Sequence, residues 1–149
     1  ELELAYAPPY SNAKDPVNFA GFTAQNVLEG LSKPVTYSEY KAHEEDYILL
    51  DVREDMEVLG YSVEGAVHIP LTQLRDRLDE LDKDGNYLAF CAVGLRGYVA
   101  ERILKQNQLK AANLVGGLRT MLDLEQDLTS SASGPSIRMD QDKIVGQED

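Results

Sequence analysis

A single cysteine, Cys91, stands in the run Tyr87-Leu88-Ala89-Phe90-Cys91-Ala92-Val93-Gly94-Leu95-Arg96-Gly97-Tyr98. The four residues before it read as a buried strand, and a loop with two glycines leads from it into a helical pattern. In an open α/β sheet such a strand delivers its end to the carboxyl edge, where ligands bind. Successive backbone N–H groups of Ala92, Val93, Gly94, Leu95, Arg96 and Gly97 can then converge on one centre. They form an anion nest, to which the helix N-terminus adds its positive field. A sulfur held there is favoured as thiolate, the nucleophilic form. Arg96 brings a fixed charge and a planar fork for an incoming oxyanion. A lone cysteine at a strand end is more often a small buried hydrophobe. The glycines, the arginine five residues on and the helix behind them turn that balance toward chemistry.

The other candidates are weaker. Asp51 closes an apolar strand and Arg53 is its natural partner, a pairing that supports the site more readily than it reacts. His68, between Val67 and Ile69-Pro70, reads as a strand-end histidine rather than a general base. One cysteine excludes an internal disulfide framework and any multi-cysteine zinc or iron–sulfur site, and two histidines are too few for most imidazole-built centres. No metal is expected. The absence of disulfides suits a reducing compartment, so the cytoplasm is the expected location.

The 149 residues carry a net charge of −12, from 26 acids against 14 bases. Such a surface repels phosphate backbones and anionic bilayers, which argues against nucleic-acid and membrane partners. No apolar run approaches the roughly 18 residues of a membrane span. The charge is uneven. Residues 35–85 hold 14 acids and five bases, whereas residues 86–122 hold one acid, Glu101, and five bases: Arg96, Arg102, Lys105, Lys110 and Arg119. The thiol therefore falls in the one basic stretch of an acidic chain, a corner expected to gather small anions.

To position that corner, residues 35–122 alternate apolar runs with helical patterns, the mark of an α/β sheet with crossover helices. The runs are Pro34–Tyr37, Tyr47–Leu50, Ala66–Ile69, Tyr87–Phe90 and Asn113–Val115. Helices are expected over Ser38–His43, Asp55–Leu59 and Arg96–Asn107. Thr72 is expected to cap another, with Leu74, Leu78 and Leu81 on one face. The fold expected is a doubly wound, five-stranded parallel sheet flanked by helices. Residues 1–34 read as a separate flank. There the consecutive Pro8-Pro9 bars helix interior, and Val17–Leu31 places Phe19, Phe22, Val27 and Leu31 at helical spacing. Residues 123–149 read as an acidic linker or tail, disordered by composition, with a Ser/Thr-rich stretch from Thr129. The chain begins at Glu1 without an initiator Met, as a processed product or a piece of a longer protein would.

Four of these segments, in order and spacing, resemble the rhodanese (sulfurtransferase) family. They are Leu49-Leu50-Asp51-Val52-Arg53-Glu54, Gly65-Ala66-Val67-His68-Ile69-Pro70-Leu71, the Cys-x-x-Gly-x-Arg loop Cys91–Arg96, and Leu114-Val115-Gly116-Gly117-Leu118. Tyr61-Ser62-Val63-Glu64 departs from the pattern of many members, at a place away from the thiol. The resemblance implies a persulfide-forming sulfurtransferase. Cys91 and Arg96 would be its catalytic residues, and the loop from Ala92 to Gly97 would bind small sulfur anions or persulfides. The six-residue loop is the length associated with sulfur transfer. Related phosphatases and arsenate reductases use a loop one residue longer, so phosphatase activity is the losing reading.

The flank resembles the end of the dimerisation domain of flavin-dependent pyridine-nucleotide–disulfide oxidoreductases, through Leu4-Ala5-Tyr6-Ala7-Pro8-Pro9-Tyr10-Ser11 and Ala13-Lys14-Asp15-Pro16-Val17-Asn18. The branch is the coenzyme A-disulfide reductase and NADH-dependent persulfide reductase group, some of whose members carry a C-terminal rhodanese domain. This resemblance implies a homodimeric parent that binds FAD, NAD(P)H and coenzyme A in reductase domains absent here, with Tyr6 or Tyr10 reaching the partner subunit's active site. No cofactor is expected in residues 1–149 themselves. The alternative is a non-catalytic rhodanese-like docking domain of such a reductase.

Overall fold

A computed structural model describes residues 24, 25 and 27–132. Among them, β1 (Pro34–Val35), β2 (Ile48–Asp51), β3 (Val67–His68), β4 (Asn86–Phe90) and β5 (Lys110–Leu114) form one sheet in the order β1-β5-β4-β2-β3. Every pairing is parallel. The connections carry α1 (Tyr37–Ala42), α2 (Asp55–Gly60), α3 (Leu71–Leu74) and α4 (Leu95–Gln106), and α5 (Gly117–Ala132) closes the described chain. The expected five-stranded parallel α/β sheet is what the chain forms.

β4 lies at the centre, so its side chains alternate between two cores rather than between core and water. Leu88 and Phe90 pack with Val35, Leu114 and, from α1 and α5, Tyr37, Leu118 and Met121. Tyr87, Ala89 and Cys91 face the other way, toward Leu74 of α3 and Ala100, Ile103 and Leu104 of α4. Helices therefore cover both faces, and the thiol projects to the α4 side.

Three expectations are corrected. The run Pro34–Tyr37 is only half strand, because Thr36 turns it into α1 through a capping box with Glu39. Thr72 does not cap a helix: Pro70 stands at that cap, its fixed φ starting α3 at Leu71. Leu74 and Leu81 still reach the core, but across two short helical pieces rather than one. The tail expected from residue 123 is helical at its start, since α5 runs on to Ala132. Tyr37 donates its hydroxyl to Glu125 at 2.6 Å, which holds the helix to the domain beyond that point. The hydroxyls of Thr129, Ser130 and Ser131 bond to carbonyls three residues back, so the polar stretch is taken into the helix. The remainder of the tail, Tyr6, Tyr10 and most of the N-terminal flank lie outside the described residues. No helix among the described residues is long and apolar enough to cross a membrane.

The entry to the domain is gripped by α4. Glu101, fully buried, accepts from Ser32 Oγ at 2.7 Å, from the Lys33 N–H and from Lys105 Nζ at 2.9 Å. Arg102 donates to the Leu31 carbonyl at 2.6 Å. Removing a buried carboxylate from several donors strands all of them. Glu101→Ala is expected to cost about 3 kcal/mol in urea unfolding, and a loss below about 1 kcal/mol would show that the grip is not structural.

Candidate active site

Cys91 follows β4 directly and is 0% exposed, the floor of the loop. Gly94 turns the chain at φ +112°, a conformation side chains rarely adopt, and stands as the N-cap of α4. In that conformation its N–H donates to Cys91 Sγ at 3.1 Å. The hydrogen-bond ladder of α4 begins with Tyr98 N–H to the Gly94 carbonyl. Leu95, Arg96 and Gly97 thus form the first turn, whose N–H groups have no carbonyl partner within the helix. Of the six expected nest residues, Gly94 supplies the contact to sulfur and the next three supply the helix end. Val93 and Leu95 are exposed on the rim, and Gly97 is buried.

A loop that turns N–H groups inward turns carbonyls outward, and those need donors. The N-terminus of α5 provides them. Leu118 N–H bonds to the Cys91 carbonyl at 2.8 Å, and Arg119 N–H to the Ala92 carbonyl at 3.0 Å. This docking explains the Gly116-Gly117 pair. Gly117 sits at φ +62°, and a Cβ there would run into the Cys91 carbonyl oxygen. Two helix starts therefore meet on one peptide, α4 from the sulfur side and α5 from the carbonyl side.

Arg96 is held by a carboxylate. Its Nη1 and Nη2 donate to the two carboxylate oxygens of Glu57 at 2.6 and 2.8 Å. Glu57 also accepts from the Glu54 N–H at 2.8 Å, at the start of α2. The Arg96 bond draws the Glu57 carboxyl down to about 2, against the opposing effect of burial and with help from the Glu54 N–H. Arg96 is in turn held more firmly protonated, first by Glu57 and less by the adjacent Cys91 sulfur. Sequence reading missed Glu57. The Glu54-x-x-Glu57 spacing marks a helix start, but nothing in one sequence joins it to an arginine 39 positions later.

The basic corner is likewise corrected. Of its five bases, Arg96 is matched by Glu57, Lys105 by Glu101, and Arg102 is turned to the Leu31 carbonyl. Lys110 opens β5, at the amino end of a parallel sheet, far from the carboxyl edge. Folding thus offsets Arg96 with a carboxylate from outside the segment and carries Arg102 and Lys110 to other contacts.

Asp51 and Arg53 form a separate buried pair. Arg53 Nη2 donates to Asp51 at 2.7 Å and to the Tyr61 carbonyl at 2.7 Å, while Arg53 N–H bonds to Asp51 at 3.0 Å. His68 Nε2 lies 2.7 Å from the Arg53 carbonyl. These residues fix the turn after β2 that leads to Glu57, and among the described residues neither the pair nor His68 hydrogen-bonds the thiol loop.

With this geometry in view, the comparisons are informative. The family model for the rhodanese-like domain matches residues 36–122. The chain belongs to that family. YtwF of Bacillus subtilis, described as a candidate sulfurtransferase, is 33% identical over 91 residues, covering 61% of this chain and 87% of that protein. A protein named sulfurtransferase from Allochromatium vinosum is 29% identical over 82 residues, covering 54% and 77%. Among solved structures, reduced CoADR-RHD of Bacillus anthracis superposes with a TM-score of 0.70 at 40% identity. It matches 82% of this chain, which spans 22% of that protein. An NAD-dependent persulfide reductase from A. fulgidus gives 0.59 at 41% identity, with 75% and 20% covered. The chain thus spans about a fifth of these two larger proteins.

Gly94 and Gly116 meet each other, and Gly117 meets the Cys91 carbonyl, so these glycines join loop to loop. For the Glu57–Arg96 clamp the sign is set by a depressed carboxyl: its stabilisation is full above the unfolded value near 4.5 and is lost as pH falls toward about 2. Both side chains are about a third exposed, so solvent screening reduces the effect. Glu57→Gln is expected to cost about 1 kcal/mol at pH 7, with the difference from wild type shrinking in urea unfolding as pH drops below 4.5. A pH-independent difference would place the effect in packing instead.

Proposed function

We propose that the domain is a sulfurtransferase in which Cys91 carries the transferred sulfur as a persulfide. The observation that supports this is the short loop itself, with Gly94 N–H on Sγ and the first turn of α4 opening beside it. A sulfur added to Sγ would meet these N–H groups, which would stabilise its charge. With thiosulfate, the Cys91 thiolate attacks the sulfane sulfur, the S–S bond breaks, and sulfite leaves with the bonding pair. With an organic persulfide the same attack releases the parent thiolate. A thiol acceptor, or cyanide, then attacks the outer sulfur and restores the Cys91 thiolate. Sulfane sulfur moves without net oxidation or reduction. Full burial of Cys91 means that reaction includes a small opening of the loop rim at Val93 and Leu95.

In this reading the final acceptor is a cysteine of a fused flavin-dependent disulfide or persulfide reductase, and FAD, NAD(P)H and coenzyme A belong to those domains of a homodimeric parent. The likeness to CoADR-RHD and the persulfide reductase supports it. The complete burial of the thiol favours one rival, a docking domain without turnover. Steady-state rates with varied donor and acceptor separate them. The sulfurtransferase predicts parallel ping-pong lines and no turnover in Cys91→Ser, whereas turnover retained by Cys91→Ser, or absent from the wild type, rejects it.

A further inference from the structure

Glu57 accepts from both terminal nitrogens of Arg96, so that charge is already matched by a carboxylate before a donor arrives. Of the five bases in the segment around the thiol, four are matched, turned away or placed at the far end of the sheet. Arg119 is the exception. Its backbone N–H bonds to the Ala92 carbonyl, which fixes the residue at the edge of the thiol loop. Its side chain is exposed and has no hydrogen-bond or ion-pair partner among the described residues. The two segments that the backbone bond joins expose apolar side chains, Val93 and Leu95 on the thiol loop and Val115 beside Gly116. Asp123, one turn further along α5, forms no ion pair with Arg119, so the guanidinium charge remains available to a small anion at the loop.

We propose that Arg119 is the specificity-determining residue of the site, engaging the anionic group of the sulfur donor while Arg96 closes the loop. This rests on the sulfurtransferase reading and adds to it the residue that selects donors by charge. Arg119 touches the donor's body, not the reacting sulfur, so its loss is expected in KM rather than kcat.

The test compares two donors of matched size, the persulfides of 3-mercaptopropionate and of cysteamine, at low ionic strength. The wild-type domain should favour the anionic donor in kcat/KM. Arg119→Ala should reduce that preference about three- to five-fold, Arg119→Lys should keep most of it, and added salt should erase it. Lys110→Ala, the same loss of charge at the other end of the sheet, should leave the preference unchanged. An unchanged preference in Arg119→Ala, with sulfur still transferred, overturns the role of Arg119 and leaves the sulfurtransferase reading intact. If neither donor delivers sulfur, that reading fails instead. The ratio of Cys91 alkylation rates by iodoacetate and iodoacetamide then still decides Arg119: a fall in Arg119→Ala supports it and a constant ratio overturns it.

Discussion

The site depends on how the Cys91-Ala92 peptides satisfy their carbonyls. N–H groups cannot turn toward the sulfur unless the carbonyls turn away, and a buried carbonyl without a donor costs about as much as a lost hydrogen bond. The first turn of α5 meets that need at Cys91 and Ala92. It reaches them only because Gly117 has no side chain at the point of contact. The glycine pair after β5 and the cysteine loop after β4 are therefore one device, built from neighbouring strands of a parallel sheet. The central position of β4 follows: its carboxyl end is flanked by the ends of both β2 and β5.

Charge at the site is set by folding, not by the count along the chain. The segment around the thiol is basic, yet Glu57 comes from the acidic half of the domain to take the arginine nearest the sulfur. The pair has two consequences. It ties α2 to the start of α4, fixing one wall of the loop. It also offsets the Arg96 charge, so the backbone N–H groups share with the guanidinium the positive potential next to Sγ. A backbone source has fixed direction and does not titrate, which suits the persulfide proposed for Cys91.

Much of this was legible in the sequence. The runs Tyr47–Leu50 and Tyr87–Phe90 announced strands because central strands bury both faces, and Cys91 with its glycines announced the loop because few residues can follow that turn. What could not be read shares one cause: partners distant in sequence. Glu57 with Arg96, Glu101 with Ser32 and Lys33, and Tyr37 with Glu125 are joined only once the sheet is formed. The last of these also anchors α5, which continues into a stretch whose composition favours a linker. Local punctuation misled at Thr72, where a plausible cap lost to the proline two residues earlier.

The account claims above all that the Cys91 loop holds one extra sulfur. Intact-mass measurement after incubation with thiosulfate, followed by peptide mapping, tests this directly. The account predicts a gain of one sulfur atom per chain, located on the peptide containing Cys91 and removed by cyanide. A chain that gains no sulfur, or gains it elsewhere, would contradict it.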